Sequence, residues 1–342
     1  MYKYIIPKEF AKRCLQFIAA KFGPHARKPE SPKLLVLMYH RILPLNDIRV
    51  KTEEPGMIVT PETFKKHLEI LSEYFQFTTI SQWVEGNNFQ NKHSHACAIT
   101  FDDGWLDNYE FAYPILKELN IPATIYIVTD MIGTNKTFWP ERLVSLIHSI
   151  YQKSPKLWSS PDTRWLRDFS NNFDYSTSIP NENDIAQIID NLKNLTDMEI
   201  NKQLDSIEKK LSIDSVQPPS LLSWEQVTEM SNSNLVEIGC HTSTHTRLNK
   251  NIMSDVLHDE IVRSKKIIEA QISKPVKTFC FPNGDFNEEA LNLVRENYIG
   301  AVTTQTGWNP QDSDNFILKR FGVHEDSTND KISFLSRISG WI

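Results

Sequence analysis

The sequence predicts an α/β fold, an irregular (β/α)7-type barrel that carries a largely helical insertion. Two observations favour it: short apolar runs of strand length recur along the chain, and amphipathic helical segments separate them. Such alternation is typical of parallel strands with helices packed outside, in a barrel or an open doubly wound sheet. Each run ends abruptly in polar residues, and in both architectures the reactive site lies where the strands end.

Seven runs have the length and composition of strands buried on both faces. They are KLLVLMYHR (33–41), ACAITFDDG (96–104), ATIYIV (123–128), LVEIGCHTSTH (235–245), VKTFCFPNGD (276–285), GAVTT (300–304) and FILKRFGVHED (316–326). Helical spacing of apolar residues marks TPETFKKHLEILSEY, where Thr60 is the predicted cap before Pro61. The same spacing marks MSDVLHDEIVRSKKIIEAQI later in the chain.

The alternation breaks down between residue 133 and about residue 220. Loop-like stretches there accompany two helical segments, 141–151 and 184–211, so this part is interpreted as a helical insertion between barrel units. It could be a lid, a flap that binds lipid or a partner, or inert padding. The remainder is assigned to an N-terminal amphipathic helix and linker, 1–30, and a catalytic barrel, 31–342.

The composition indicates a globular protein that does not bind nucleic acid. The 342 residues are 40% hydrophobic, and 37 Lys and Arg stand against 43 Asp and Glu, for a formal charge of −6. A basic electrostatic footprint for nucleic acid is therefore not expected. The four cysteines contain no Cys-x-x-Cys pair, which argues against a disulfide framework.

The N-terminal segment shows no uninterrupted apolar core of signal-peptide length, so a cytoplasmic location is expected. Ile6, Phe10, Cys14, Phe17 and Ile18 fall near helical spacing, with lysines elsewhere on the wheel. Weak membrane association through residues 1–20, peripheral to the inner face, is the alternative to a helix that packs on its own domain.

Two motifs at predicted strand ends carry the candidate chemistry. TFDDG (100–104) sets two carboxylates side by side, and their repulsion is relieved best by a bound cation. HTSTH (241–245) spaces two histidines four apart, which in a helical turn puts both imidazoles on one face. An aspartate and two histidines leave a position for water, as in catalytic zinc sites, and would also admit cobalt, iron or manganese. Taken singly, the motifs are a turn and a surface helix pair; together, they predict a metal site.

With these motifs the chain resembles the polysaccharide deacetylase superfamily, metal-dependent carbohydrate esterases with NodB homology that remove N-acetyl groups from amino sugars. TFDDG is similar to the first family motif and HTSTH to the second. The resemblance implies that Asp102 is the general base, and that Asp103, His241 and His245 hold one divalent ion. Zn²⁺ is the favoured ion, with Co²⁺, Ni²⁺, Fe²⁺ or Mn²⁺ as alternatives.

FPNG (281–284) stands where the family has its third motif, a groove wall that often reads Arg-Pro-Pro-Tyr-Gly. Cys280 replaces the usual arginine, which orients the base, and Asn283 replaces the tyrosine. Arg320 is the expected substitute for that arginine. The backbone N–H of Asn283 is expected to help hold an oxyanion, and Phe281 and Pro282 to contact the substrate.

The resemblance also requires an acid that protonates the leaving amine, normally a histidine. LLVLMYHR resembles the exopolysaccharide deacetylase subgroup with an N-terminal Tyr-His motif, so His40 is preferred over His324. Trp105 and Trp308 lie near predicted strand ends and are candidates to stack on sugar rings.

The leading functional hypothesis is a metal-dependent N-deacetylase of an amino-sugar-containing bacterial glycan or glycolipid. A second hypothesis keeps the chemistry but takes a lipid-linked formylamino or acetylamino sugar as the substrate. A third is an inactive carbohydrate-binding homologue, which the altered third motif favours and the intact acidic and histidine motifs oppose.

Overall fold

The structure is a computed structural model that describes residues 8–86, 95–170, 178–213, 220–249 and 252–342. The strands in these ranges are β1 Leu34–Tyr39, β2 Arg41–Ile42, β3 Ile58–Val59, β4 Phe75–Thr78, β5 His95–Phe101, β6 Ala123–Ile127, β7 Val236–Cys240, β8 Thr278–Cys280, β9 Gly300–Val302 and β10 Phe321–Gly322. The helices are α1 Lys8–Phe22, α2 Pro61–Ser72, α3 Ile80–Val84, α4 Tyr113–Leu119, α5 Trp139–Lys153, α6 Arg164–Asp168, α7 Glu182–Leu192, α8 Asp197–Leu211, α9 Trp224–Asn232, α10 Ser254–His258, α11 Ser264–Ile272, α12 Glu288–Asn297, α13 Glu325–Thr328 and α14 Lys331–Ser339.

The main sheet is curled and parallel, which confirms the predicted α/β fold class. Its strand order is β10-β1-β5-β6-β7-β8-β9. On one side of β5, β4 pairs with the first half of the strand and β6 pairs with the second half. The segment before β10 brings the two ends of the sheet together, because Leu318 bridges to Val302 in β9 while Phe321 pairs with Leu37 in β1. The short strands β2 and β3 pair only with each other in the described chain.

Alternation of side chains along the strands decides which residues face the barrel interior. In β5, Ala96 and Ala98 belong to an interior apolar cluster, whereas Cys97, Ile99 and Phe101 pack with the surrounding helices. The interior row of β5 therefore continues through Thr100 to Asp102. The same alternation makes Glu237, Gly239 and His241 the interior row of β7, since Val236, Ile238 and Cys240 pack outside.

The insertion forms a helical unit, α5 to α8, with an apolar core of its own. The buried members of that core include Trp139, Leu143, Ile147, Trp158, Ile188, Leu192, Ile200 and Leu204. The predicted single helix 184–211 is wrong: it is broken after α7, and Thr196 caps α8 through a reciprocal pair of hydrogen bonds with Glu199. Residues 171–177 and 214–219 of the predicted insertion lie outside the described residues.

The predicted N-terminal helix is α1, and residues 1–7 of that prediction lie outside the described residues. In the described ranges, no helix combines the length and the apolar character that crossing a membrane requires. The predicted cap of α2 is confirmed, because the Thr60 side chain accepts a hydrogen bond from Thr63 N.

We predict that Gly239→Ala destabilises the fold. A Cβ at this interior position would lie 2.3 Å from Cδ1 of Tyr126, whose ring is fully buried. Overpacking of this kind costs about 1–3 kcal/mol or more, measurable by urea denaturation. Adding Tyr126→Leu to Gly239→Ala should recover part of the loss, and an unchanged midpoint for Gly239→Ala alone would contradict the packing.

Candidate active site

Asp102 and Asp103 lie at the same site because the backbone leaves the strand between them. In a regular strand, neighbouring side chains face opposite sides of the sheet. β5 ends at Phe101, and Asp103 has φ +76°, in the left-handed region that few non-glycine residues adopt. This turn brings the second carboxylate to the mouth of the barrel, beside the first.

Asp103, His241 and His245 form the candidate metal centre. Asp103 Oδ1 lies 3.5 Å from His241 Nε2 and 3.3 Å from His245 Nε2. The three ligand atoms lie within 4.8 Å of one another, and the buried Oδ1 accepts no hydrogen bond from the described residues. A carboxylate oxygen and two imidazole nitrogens that converge without donors suit a divalent cation.

Neighbouring groups orient two of these side chains. His241 Nδ1 lies 2.8 Å from the Cys280 carbonyl oxygen, which can only accept, so the ring proton is on Nδ1 and the Nε2 lone pair faces Asp103. Trp105 Nε1 donates to Asp103 Oδ2 over 3.0 Å. The residues present therefore fit a divalent metal with an outer shell of hydrogen bonds.

A second grouping, Asp102, His241 and Cys280, is also compact enough to hold a metal ion. Both oxygens of Asp102, however, accept hydrogen bonds from Arg320. Burial raises the pKa of the Cys280 thiol well above its ordinary value, and metals bind the thiolate. The set built on Asp103 is the better ligand set.

The HTSTH segment is not helical, which corrects the prediction of a helical turn. It is a loop after β7 in which Thr242 has φ +69° and His245 has φ +64°. His245 N donates to Thr242 Oγ1, while the carboxylate of Glu260 accepts from Ser243 N and Thr244 N. The histidines meet because this loop is folded tightly and anchored by a buried glutamate.

Arg320, the expected substitute for the family arginine, lies against Asp102. Its Nη1 and Nη2 each donate to one oxygen of Asp102 over 2.7 Å, and Nε donates to Thr303 O over 2.8 Å. Burial alone would raise the pKa of Asp102, but the Arg320 charge and hydrogen bonds outweigh it and hold the pKa below its ordinary value. Asp102 is thereby kept ionised inside the barrel.

Of the two candidate acids, His40 lines the same cavity as the two aspartates. Its Nε2 lies 3.9 Å from Asp102 Oδ2. Burial lowers the pKa of His40, and the charges of Asp103 and Asp102 oppose that shift. His324 instead lines a neighbouring cavity beside Gly56.

The third-motif segment brings only part of its predicted residues to the cavity. Asn283 lines it, with φ +55°, and its N–H has no acceptor in the described part of the chain. Phe281 is fully buried between Phe279 and Phe286, and Pro282 is buried as well. Neither lines the cavity, so the predicted substrate contacts of Phe281 and Pro282 are corrected to packing beneath Asn283.

The two tryptophans predicted to stack on sugar also have other contacts. Trp105 lines the cavity but is only 2% exposed; the Arg41 Cζ lies 4.0 Å from its ring centre, and its Nε1 donates to Asp103. Trp308 packs against Phe75 and His95 and donates to Ile338 O. It lies beside the first residues of β4 and β5, at the end of the barrel opposite the site, which contradicts its predicted substrate contact.

The sequence motifs did not predict several residues of the site. Arg41, which stacks against the Trp105 ring, donates to the buried carboxylates of Asp107 and Glu53. The cavity, about 230 Å³, is closed on one side by residues around the insertion: Phe138, Trp139, Pro140, Glu141, Lys193 and Asp197. Burial raises the pKa of Glu141 well above its ordinary value, and the nearby Glu53 adds to the shift.

Arg247 fastens the insertion to the candidate metal loop. It stands two residues after His245, and its guanidinium donates to Lys193 O, Leu195 O and the Asp197 carboxylate. These acceptors form the turn between α7 and α8. The loop that carries His245 is thus held by Glu260 on one side and by the insertion on the other.

A known protein family shares sequence with this chain. The family model described as polysaccharide deacetylase matches residues 89–302, more than half of the chain. The chain belongs to the polysaccharide deacetylase family. The match includes Asp102, Asp103, His241, His245 and Asn283, so this deacetylase-family chain carries its cavity residues largely within the family region.

Two curated relatives match part of this member of the polysaccharide deacetylase family. The putative polysaccharide deacetylase YxkH of Bacillus subtilis is 38% identical over 109 residues, 31% of this chain and 36% of the relative. The poly-beta-1,6-N-acetyl-D-glucosamine N-deacetylase of Staphylococcus epidermidis is 30% identical over 115 residues, 31% of this chain and 40% of the relative. The chain thus spans less than half the length of the curated relatives it matches.

The fold extends beyond these segments. The crystal structure of BC0361, a polysaccharide deacetylase from Bacillus cereus, is similar over 90% of this chain and 69% of its own, with a TM-score of 0.55 and 18% identity. At that identity, the likeness shows a common fold and no more.

We predict that Arg247→Met weakens metal binding. Methionine keeps the length of the side chain but loses every hydrogen bond to the α7–α8 turn, and loss of an outer-shell support typically costs 10–100-fold in metal affinity. A competition titration of zinc against a chelating dye measures the change. Arg263→Met, at an exposed arginine paired with Asp130, is the matched control. Zinc affinity equal to wild type in Arg247→Met would show that the insertion does not position His245.

Proposed function

We propose that the protein is a metal-dependent hydrolase that removes N-acetyl groups from an amino-sugar-containing bacterial glycan. One observation carries the proposal: in a single cavity, an Asp–His–His ligand set lies beside a second aspartate whose ionisation a buried arginine maintains. Membership of the polysaccharide deacetylase family supports the same chemistry.

The substrate class is proposed from the relatives and the cavity. The Staphylococcus epidermidis relative is named for poly-beta-1,6-N-acetyl-D-glucosamine. The cavity here, about 230 Å³, is below the range of about 300–1,000 Å³ usual for drug-sized ligands, which suits one acetamido sugar unit rather than several. We expect the rest of a polymer to lie outside it.

Asp102 is the proposed general base. Arg320 keeps it ionised, so it can accept a proton from the attacking water as the new C–O bond forms at the amide carbon. His40, across 3.9 Å from Asp102 Oδ2, is the proposed acid. It gives a proton to the nitrogen as the C–N bond breaks, so that acetate and the free amine leave.

Asp103, His241 and His245 would hold one divalent ion, with zinc favoured by the mixed imidazole and carboxylate ligands. When bound, such an ion supplies Lewis-acid activation of water and of the amide carbonyl. The Asn283 N–H, which has no acceptor in the described chain, is the proposed donor to the carbonyl oxygen as it gains negative charge. This role needs no particular side chain at position 283.

We predict that Asp102→Asn and Asp103→Asn separate turnover from metal binding. Asp102→Asn should retain metal and lose at least about 100-fold in turnover, because asparagine cannot take a proton. Asp103→Asn should lose metal, because the carboxylate ligand is gone. Metal content after gel filtration and acetate release from N-acetylglucosamine oligomers, with and without a chelator, measure the two effects.

Asp312→Asn, at an exposed aspartate, is the matched control for both substitutions. Melting temperatures are measured alongside, since Asp102→Asn leaves Arg320 buried without its counter-charge. Wild-type turnover in metal-loaded Asp102→Asn would disprove the base assignment. Full metal content in Asp103→Asn would disprove the ligand assignment.

A further inference from the structure

The N-terminal helix α1 exposes its apolar face. Five large apolar side chains on this one helix are about half exposed or more: Phe10 at 63%, Leu15 at 54%, Phe17 at 52%, Ile18 at 48% and Phe22 at 51%. With 3.6 residues per turn, they share one broad side of the helix. Contiguous exposed apolar patches mark interaction surfaces.

The exposed face is set by how α1 packs. Its inward side is made of small residues, with Ala19 at 2% and Ala20 at 9% exposure. Arg13 donates to both carboxylate oxygens of Asp330 and to Ser333 Oγ at the start of α14. These contacts fix the rotation of the helix about its axis, so its bulky apolar residues are held pointing away from the protein.

The charge around this face is basic on an acidic protein. Residues 8–28 contain six lysines and arginines and a single acid, Glu9, whereas the whole chain has a formal charge of −6. The Nζ of Lys21 lies 5.5 Å from the ring centre of Phe22, within the apolar side itself. A lysine in that place can extend to a lipid headgroup while its stem stays among apolar groups.

An exposed tryptophan of the C-terminal residues lies beside the segment that follows α1. Trp341 is 46% exposed, and its ring lies 5.3 Å from the guanidinium carbon of Arg27. Tryptophan beside basic residues is typical of the interface between membrane and water. A second copy of the chain is the poorer occupant, because two such faces would bring like charges together.

We propose that α1 lies in the surface of an anionic lipid bilayer, with Phe10, Phe17, Ile18 and Phe22 in the acyl boundary and the basic residues against headgroups. The arrangement is that of an interfacial amphipathic helix, for which apolar burial and attraction to anionic lipid act together.

The test is sedimentation of the purified full chain with vesicles of phosphatidylcholine alone and with vesicles that contain 30% phosphatidylglycerol. Wild type should bind the anionic vesicles, and binding should fall as salt rises. Phe10→Ser with Phe17→Ser should reduce the partition coefficient by at least roughly tenfold. Lys12→Glu with Lys21→Glu, which keeps the apolar residues, should reduce it on anionic vesicles.

Met198→Ser, at a 78% exposed apolar residue on α8, is the matched control and should bind as wild type does. Equal binding by wild type and the double Phe variant would overturn the proposal. So would a concentration-dependent dimer that is lost in the double Phe variant without any vesicle binding, since that result would assign the face to a second copy. Chelation or loss of the proposed hydrolase activity leaves the vesicle result unchanged, so the two proposals fail separately.

Discussion

The ion pair between Arg320 and Asp102 is the interaction on which the rest of the site depends. Arg320 is fully buried, so loss of either partner would leave an uncompensated charge inside the barrel, at about 3–5 kcal/mol. Arg320 belongs to the segment that bridges β9 and β1, whereas Asp102 follows β5. One pair therefore fastens the closing end of the sheet to its centre and keeps the proposed base ionised.

Cys280 explains how this arginine can reach its partner. The Cys280 Sγ lies 3.2 Å from Arg320 Nη2 and 3.5 Å from Asp102 Oδ2, in the space between strands. An arginine side chain at position 280 would need the volume that Arg320 fills. The small side chain at position 280 therefore leaves room for Arg320, which supplies the positive charge beside Asp102.

Much of the site could be predicted because period-two alternation and strand ends are visible in the sequence. These signals placed Asp102 and His241 at one mouth. They could not show the left-handed turn at Asp103, nor that HTSTH is a loop, because helical spacing alone does not require a helix. Trp308 was assigned to the site because it is near predicted strand ends in the sequence, yet it lies at the opposite end of the barrel. Arg247 left no signal, since its partners are 50 residues upstream and mostly carbonyl oxygens.

The left-handed residues at the site show why the support around it is so extensive. Asp103, Thr242, His245 and Asn283 all have positive φ, and each such conformation costs of order 1–3 kcal/mol unless its surroundings stabilise it. Trp105 supplies that support to Asp103, Glu260 and the insertion supply it to the histidine loop, and Thr304 Oγ1 donates to Asn283 O. Through Arg247 the insertion is hydrogen-bonded to the loop that carries the second imidazole, so the packing of the insertion and the geometry of the candidate metal centre are physically linked.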